Sequence, residues 1–158
     1  MKPKTIDKYY LNLAGEFQVC AELLKRELFA TVTYGNKKGA DIYAVGTNRL
    51  SAVIEVKASN SNRFVTSFYQ KYRSPESVHP DFWVLYSLRS KADAFVERFF
   101  VLAHDELAEI QANRNVPNDQ LTYEEVAARS VKGVDNVLVR DVEMHESAWD
   151  KIISHCNA

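Results

Sequence analysis

Gly39-Ala40-Asp41-Ile42-Tyr43-Ala44-Val45, a short polar turn, and then Ser51-Ala52-Val53-Ile54-Glu55-Val56-Lys57-Ala58-Ser59 form the stretch from which the fold can be read. Both halves alternate with period two, the pattern of half-buried strands. In the first half Ala40, Ile42 and Ala44 share one face, with Asp41, Tyr43 and Val45 opposite. In the second, Ala52, Ile54, Val56 and Ala58 share one face, with Val53, Glu55 and Lys57 opposite. Gly46-Thr47-Asn48-Arg49-Leu50 closes the two into a hairpin. Setting Val45 against Ser51 puts Ile42 across from Ile54 and Asp41 across from Glu55, with opposed Cβ atoms about 4.5–5.5 Å apart. A slip of one residue would bury the charged face, so the apolar pattern itself selects this register.

Two carboxylates opposed across a sheet repel, and each raises the other's pKa. Two readings of the patch follow. In one, it is a solvated face on which Lys57 offsets two acids. In the other, it is a divalent-cation site, because hard cations such as Mg²⁺ take carboxylate oxygens together with water and phosphate. Lys57 would then orient or deprotonate a water, or stabilise charge building on a phosphate.

The bulk composition excludes little. At 158 residues, the chain is expected to form one domain with a core of its own, and 46% apolar with 26% charged residues is ordinary globular usage. A net charge of −1 is not that of a strongly basic nucleic-acid binder, although local patches matter more than the total. Cys20 and Cys156 lack metal-type spacing and read as thiols in a reducing compartment. Nothing resembles a signal peptide and no apolar run approaches membrane-spanning length, so the expectation is a soluble, cytoplasmic protein with no membrane partner.

Upstream, Leu13, Phe17, Cys20, Leu24 and Leu28 form the apolar stripe of a helix over 13–29. Glu16 lies about 70° from the stripe's centre, at the border, and Glu27 occupies a similar border, so helix geometry alone does not choose between them. Phe29 to Tyr34 predicts a first strand, and Gly35 to Gly39 a turn carrying Lys37 and Lys38. After Lys57 a second helix is expected from about Arg63 to Arg73. There Arg63, Lys71 and Arg73 are interleaved with Phe64, Phe68, Tyr69 and Tyr72, and no acid intervenes. That mixture suits nucleic acid through phosphate attraction and base stacking, or else a core of aromatics under a wet basic face. Phe82 to Leu88 predicts a central strand covered on both sides, and Phe99 to Leu102 another buried strand. Asp105 is placed as the cap of a helix to about Asn113. Thr122 with Glu125 makes a capping box for a helix to about Ser130. A strand over 134–142 and a helix over 146–155 close the chain. His79, His104, His145 and His155 show no ligand spacing, and there is no Walker, Rossmann or Gly-x-Ser-x-Gly motif.

The order of pieces resembles the PD-(D/E)xK nuclease superfamily, the restriction-endonuclease-like fold. A helix with Gly15-Glu16 precedes three strands; Asp41 opens the second, and Glu55-Val56-Lys57 lies on the third. The resemblance covers about Leu13 to Leu88 and implies an α/β fold with a central mixed β-sheet flanked by helices. The whole chain, 1–158, would be a single such domain, its core at about 13–88 and its family-specific part at about 89–158. By position, Asp41, Glu55 and Glu16 match the metal-binding carboxylates, and this match separates Glu16 from Glu27. The backbone carbonyl of Val56 would be a further ligand, and Lys57 matches the catalytic lysine. Gln70 is similar to a glutamine that some branches place near the site. Ala40 stands where the name-giving motif has proline. Ser74 stands where the exonuclease branch has tyrosine, which leaves an endonuclease ahead of an exonuclease. The implied activity is Mg²⁺- or Mn²⁺-dependent phosphodiester hydrolysis, on DNA by analogy with most members. Substrate contacts are expected from Lys37, Lys38, Arg63, Gln70, Lys71 and Arg73, with room for a homodimer. The alternatives are an RNA-cleaving, toxin-type member, or a non-catalytic nucleic-acid-binding or protein-interaction module on the same fold.

Overall fold

Alternation fixes the hairpin as expected. In the computed structural model, which describes residues 5–34, 40–72, 76–115 and 135–158, β2 (Ile42–Val45) lies antiparallel to β3 (Ser51–Ser59). Ile42 faces Ile54 and Val45 faces Ser51, the register that the pattern selects. β1 (Phe29–Val32) pairs with the outer side of β2, and β5 (Phe82–Lys91) runs parallel to β3. β6 (Ala94–Ala103) returns antiparallel to β5. Among the described residues the main sheet is thus β1-β2-β3-β5-β6, a mixed sheet with helices on both faces.

One face is covered by α1 (Lys8–Leu24) and the closing helix α5 (Asp150–Cys156). Leu11, Val19 and Leu23 of α1 meet Ile42, Ile54, Val56 and Val84 of the sheet, and Ile152 joins them from α5. Each such side chain contributes about 1.5–3 kcal/mol when fully buried. The other face is covered by α2 (Phe68–Lys71), α3 (His104–Asn115) and α4 (Val139–Val142), together with a small second sheet of β4 (Arg63–Val65) and β7 (Asn136–Leu138). Its core is aromatic: Phe64, Phe68, Tyr72, Trp83 and Phe100 pack with Leu85 and Leu107. Phe82 to Leu88 is buried throughout because β5 has cover on both sides.

Several expectations need correction. The buried stripe of α1 is Leu11, Gly15, Val19 and Leu23, with Cys20 beside it, while Phe17 and Leu24 are exposed at 51% and 50%. The helix also stops at Leu24, before Leu28. No helix spans 63–73: Arg63–Val65 is a strand and Phe68–Lys71 a single turn. The aromatics there are core, with Phe64, Phe68, Tyr69 and Tyr72 all buried. They are therefore not a base-stacking platform. The 134–142 strand shortens to Asn136–Leu138 and turns helical at Val139, and the last helix starts at Asp150. Asp105 lies in the first turn of α3 and does not precede it. The Lys37–Lys38 turn, Arg73 and the Thr122 capping box lie outside the described residues. Among the described residues, no helix is long and apolar enough to cross a membrane.

Candidate active site

The site forms where β2 peels away from β3. The N–H of Asp41 still donates to the Ile54 carbonyl at 2.9 Å, but beyond it the strands diverge. The next amide of β3 on that side, Val56 N–H, donates instead to Asp41 Oδ2 at 2.7 Å. A side chain has replaced the missing ladder partner, which pins the carboxylate beside β3. Glu55 and Lys57 project from β3 on the side of the aromatic core, and Lys57 Nζ lies 2.7 Å from Glu55 Oε1.

Glu16 arrives from the opposite face. A Cβ added to Gly15 would stand 3.1 Å from both the Ala58 Cβ and the Tyr86 Cδ1, so the helix sits almost directly on the sheet at this point. That close approach sets the neighbouring Glu16 at the rim of a cleft of about 650 Å³, which it lines together with Asp41, Val56, Lys57, Ser59 and Arg63. Glu27, its rival by helical position, has a φ of 62° past the end of α1 and is exposed.

Glu55 is sealed, with its side chain only 1% exposed. Besides Lys57, it accepts from Lys71 Nζ at Oε1 and from Tyr72 Oη at Oε2, the latter at 2.8 Å. Lys71 and Tyr72 are placed by a residue far along the chain. Asp135, just before β7, accepts the Tyr69 and Gln70 amides at Oδ2 (2.9 and 3.3 Å), capping α2 from outside. Its carbonyl also accepts the Thr66 and Ser67 amides. Gln111 of α3 ties the two segments together, accepting from Thr66 Oγ1 at 2.9 Å and donating to the Asn136 carbonyl at 3.1 Å.

The electrostatics separate the three acids. Burial raises the carboxyl of Glu55, but Lys57 and Lys71 outweigh it and hold the group below the usual range. Burial raises Asp41, and Glu55 adds to that, against the lowering effects of the Val56 amide and Lys57. Glu16 is raised by burial and by Asp41, with Lys57 opposing. Asp41 and Glu16 are therefore carboxylates short of positive charge, which is the condition a cation would relieve.

As a donor set, these residues fit a hard divalent cation. They offer carboxylate oxygens and the Val56 carbonyl, and no soft ligand. Among the described residues, however, no group of three or more of His, Cys, Asp and Glu is placed to hold a metal ion. Glu55 pairs instead with the two ammonium groups of Lys57 and Lys71. Of the expected substrate contacts, Arg63 lines the cleft, whereas Lys71 is turned onto Glu55 and Gln70 is exposed outside the cleft lining. The roles of Lys71, Tyr72 and Asp135 around Glu55 were missed by sequence reasoning. The first two sat in a basic-aromatic stretch that suggested nucleic acid, and Asp135 gave no local signal at all.

No protein-family model matches the chain, and no curated protein matches it in sequence. Among solved structures, it is similar to a bacterial homing endonuclease at 12% identity and a TM-score of 0.53, over 95% of this chain and 94% of that one. The chain has the α/β fold of that nuclease.

Proposed function

We propose that the protein is a divalent-metal-dependent nuclease of the PD-(D/E)xK type that hydrolyses internal phosphodiester bonds of DNA. The observation that carries this reading is the junction of Asp41, Glu55 and Lys57 where β2 leaves β3, with Glu16 brought from α1 to the cleft that Asp41 and Lys57 line and Glu55 buried behind it. Asp41, Glu55 and the Val56 carbonyl would hold Mg²⁺ or Mn²⁺, with Glu16 at the rim. When bound, such an ion lowers the pKa of a coordinated water and counters charge on the phosphate. Lys57 then has two partners available, the Glu55 carboxylate and a phosphate oxygen in the cleft, and donating to the second as charge builds stabilises the transition state. Glu16, with its raised carboxyl, is suited to taking a proton from the attacking water.

A second reading has its own observation. The complete sealing of Glu55 by Lys57, Lys71 and Tyr72 also suits a non-catalytic nucleic-acid-binding module. Incubating supercoiled and linear DNA, and RNA, with the protein in Mn²⁺, Mg²⁺ or EDTA separates the two. Metal-dependent cleavage that disappears in Lys57→Ala is expected. Binding without cleavage of any substrate in Mn²⁺ would leave the module reading and remove the nuclease.

A further inference from the structure

β5 and β6 outrun the sheet. β3 ends at Ser59, opposite Ser87, so residues 88–91 and 94–97 pair only with one another among the described residues. They form a free two-stranded ribbon, turning at Ala92 (φ 53°), and it leaves from the end of the sheet at which the cleft lies. Its two faces differ. Leu88, Ser90, Phe95 and Glu97 continue the face of the aliphatic core, and Glu97 is engaged by Tyr86 Oη at 2.5 Å. Arg89 and Lys91 lie on the other face, which is also the face of Lys57. Their cross-strand partners are Val96 and Ala94, so neither cation is neutralised across the ribbon. Arg89 is exposed and is steadied by Asn62, accepting at 3.0 Å, next to Arg63 of the cleft. Lys57, Arg63, Arg89 and Lys91 thus make a file of cations that starts at the candidate site and runs out along the ribbon.

We propose that this ribbon is a duplex-binding arm that enters the major groove of DNA whose scissile phosphate lies at the cleft; the position of that phosphate rests on the nuclease reading. A two-stranded ribbon has the width that the major groove admits, and the cations face phosphates that run along it. Leu85 is the register partner of Lys57. Arg89 is then about 13 Å further along the strand and Lys91 about 20 Å, at about 3.3 Å per residue. At about 3.4 Å of axial rise per base pair, the arm reaches phosphates roughly four and six base pairs to one side of the cut.

The test is fluorescence anisotropy of a labelled 20-base-pair duplex with the full chain in EDTA, titrated across salt concentrations. Arg89→Ala with Lys91→Ala removes two phosphate contacts. The slope of log K against log salt should therefore fall by about 1.8, and affinity near 0.15 M salt by about 30-fold if the contacts vanish at 1 M. The charge-preserving pair Arg89→Lys with Lys91→Arg should keep the wild-type slope. Both positions are exposed, and matched melting curves confirm that the variants fold. An unchanged slope in the alanine pair overturns the arm. An equal loss on a single strand of the same length also overturns it, since a groove-bound ribbon needs a duplex. In Mn²⁺, a duplex whose cleaved bond lies within two base pairs of its end on the arm side should be cut equally well by wild type and the alanine pair, and a sizeable loss there counts against the spacing. Binding that behaves as expected with no cleavage of any duplex would remove the nuclease reading and leave the arm standing.

Discussion

One face of the sheet buries mainly apolar packing from α1 and α5, with the Tyr86–Glu97 hydrogen bond as an exception, whereas the other buries Glu55, Thr66, His104, Gln111, Asp135 and Asn136 among aromatic rings. The first arrangement gains stability from area removed from water and asks little of geometry. The second has to satisfy each buried polar group with a named partner, so it holds its side chains in fixed places. Stability and placement are divided between the two sides of one sheet, and Glu16 is the acid that reaches the cleft from the apolar side.

The largest effect should come from the apolar side. Leu23 is fully buried against the sheet, and Leu23→Ala should cost about 2–5 kcal/mol. For a chain of this size, that is a fall in Tm of about 4–20 °C. Any rise in Tm on adding Mn²⁺ should survive. Loss of the Mn²⁺ response along with the stability would mean that the two faces are not separable.

Next in size is Lys57→Ala, where the loss should fall on rate. Removing one group that stabilises transition-state charge costs about 10²–10³ in turnover. Glu55 keeps Lys71 and Tyr72 as partners, so Tm should move by only a few degrees. Wild-type cleavage rates in this variant would take lysine out of the mechanism.

The polar side should also make the fold sensitive to acid. Trp83 Nε1 donates to His104 Nδ1 at 3.2 Å, which makes that nitrogen an acceptor, and the ring stacks 3.7 Å from that of His79. Burial, aided by His79, lowers its pKa to about 4. The unfolded chain therefore binds a proton that the folded chain refuses between about pH 6.5 and 4. Stability is fully present above the upper value and is lost as pH falls through that window, by up to about 3 kcal/mol at its lower end. His104→Asn offers Trp83 an acceptor that does not titrate. Its urea midpoint should change less between pH 7 and 4.5 than that of the wild type. Parallel profiles would place the acid sensitivity elsewhere.

The same division explains what could be read in advance. The β2–β3 hairpin was legible because period-two alternation states register within a dozen residues, and it carries Asp41, Glu55 and Lys57 with it. The stripe of α1 was misassigned because its centre is Gly15, whose value lies in having no side chain against Ala58 and Tyr86. A reading by hydrophobicity moved to Phe17 and Leu24, which face outward. On the polar face, β4 is a strand only because Asn136–Leu138 comes to pair with it, and α2 starts where it does because Asp135 caps its first amides. No local window contains those partners. The two lysines around Glu55 could be seen as basic residues, but their direction could not.

The smallest expected effect is the one that most sharply tests whether the charged corner holds a cation. Asp41 has a raised carboxyl because it is buried, with the Glu55 charge adding to the shift. A raised acid contributes stability below its unfolded pKa and loses it as pH rises through its folded pKa, so at pH 7 the ionised Asp41 is a burden. Asp41→Asn keeps an oxygen for the Val56 amide and removes the charge. It should leave the metal-free protein unchanged or stabilise it by no more than about 1 kcal/mol at pH 7. Well below the ordinary aspartate value, where the Asp41 carboxyl is protonated in both the folded and the unfolded chain, the variants should converge. Mn²⁺ should then reverse the order. At ten times its Kd, the ion stabilises wild type by about 1.4 kcal/mol, or about 3–6 °C in Tm. Asp41→Asn should lose most of that rise, as should Glu55→Gln, while Glu27→Gln keeps it. Equal Mn²⁺ shifts in wild type, Asp41→Asn and Glu55→Gln would mean that Lys57 and Lys71 are the only cations this corner holds, and the polar face would then be a scaffold for binding and not for cleavage.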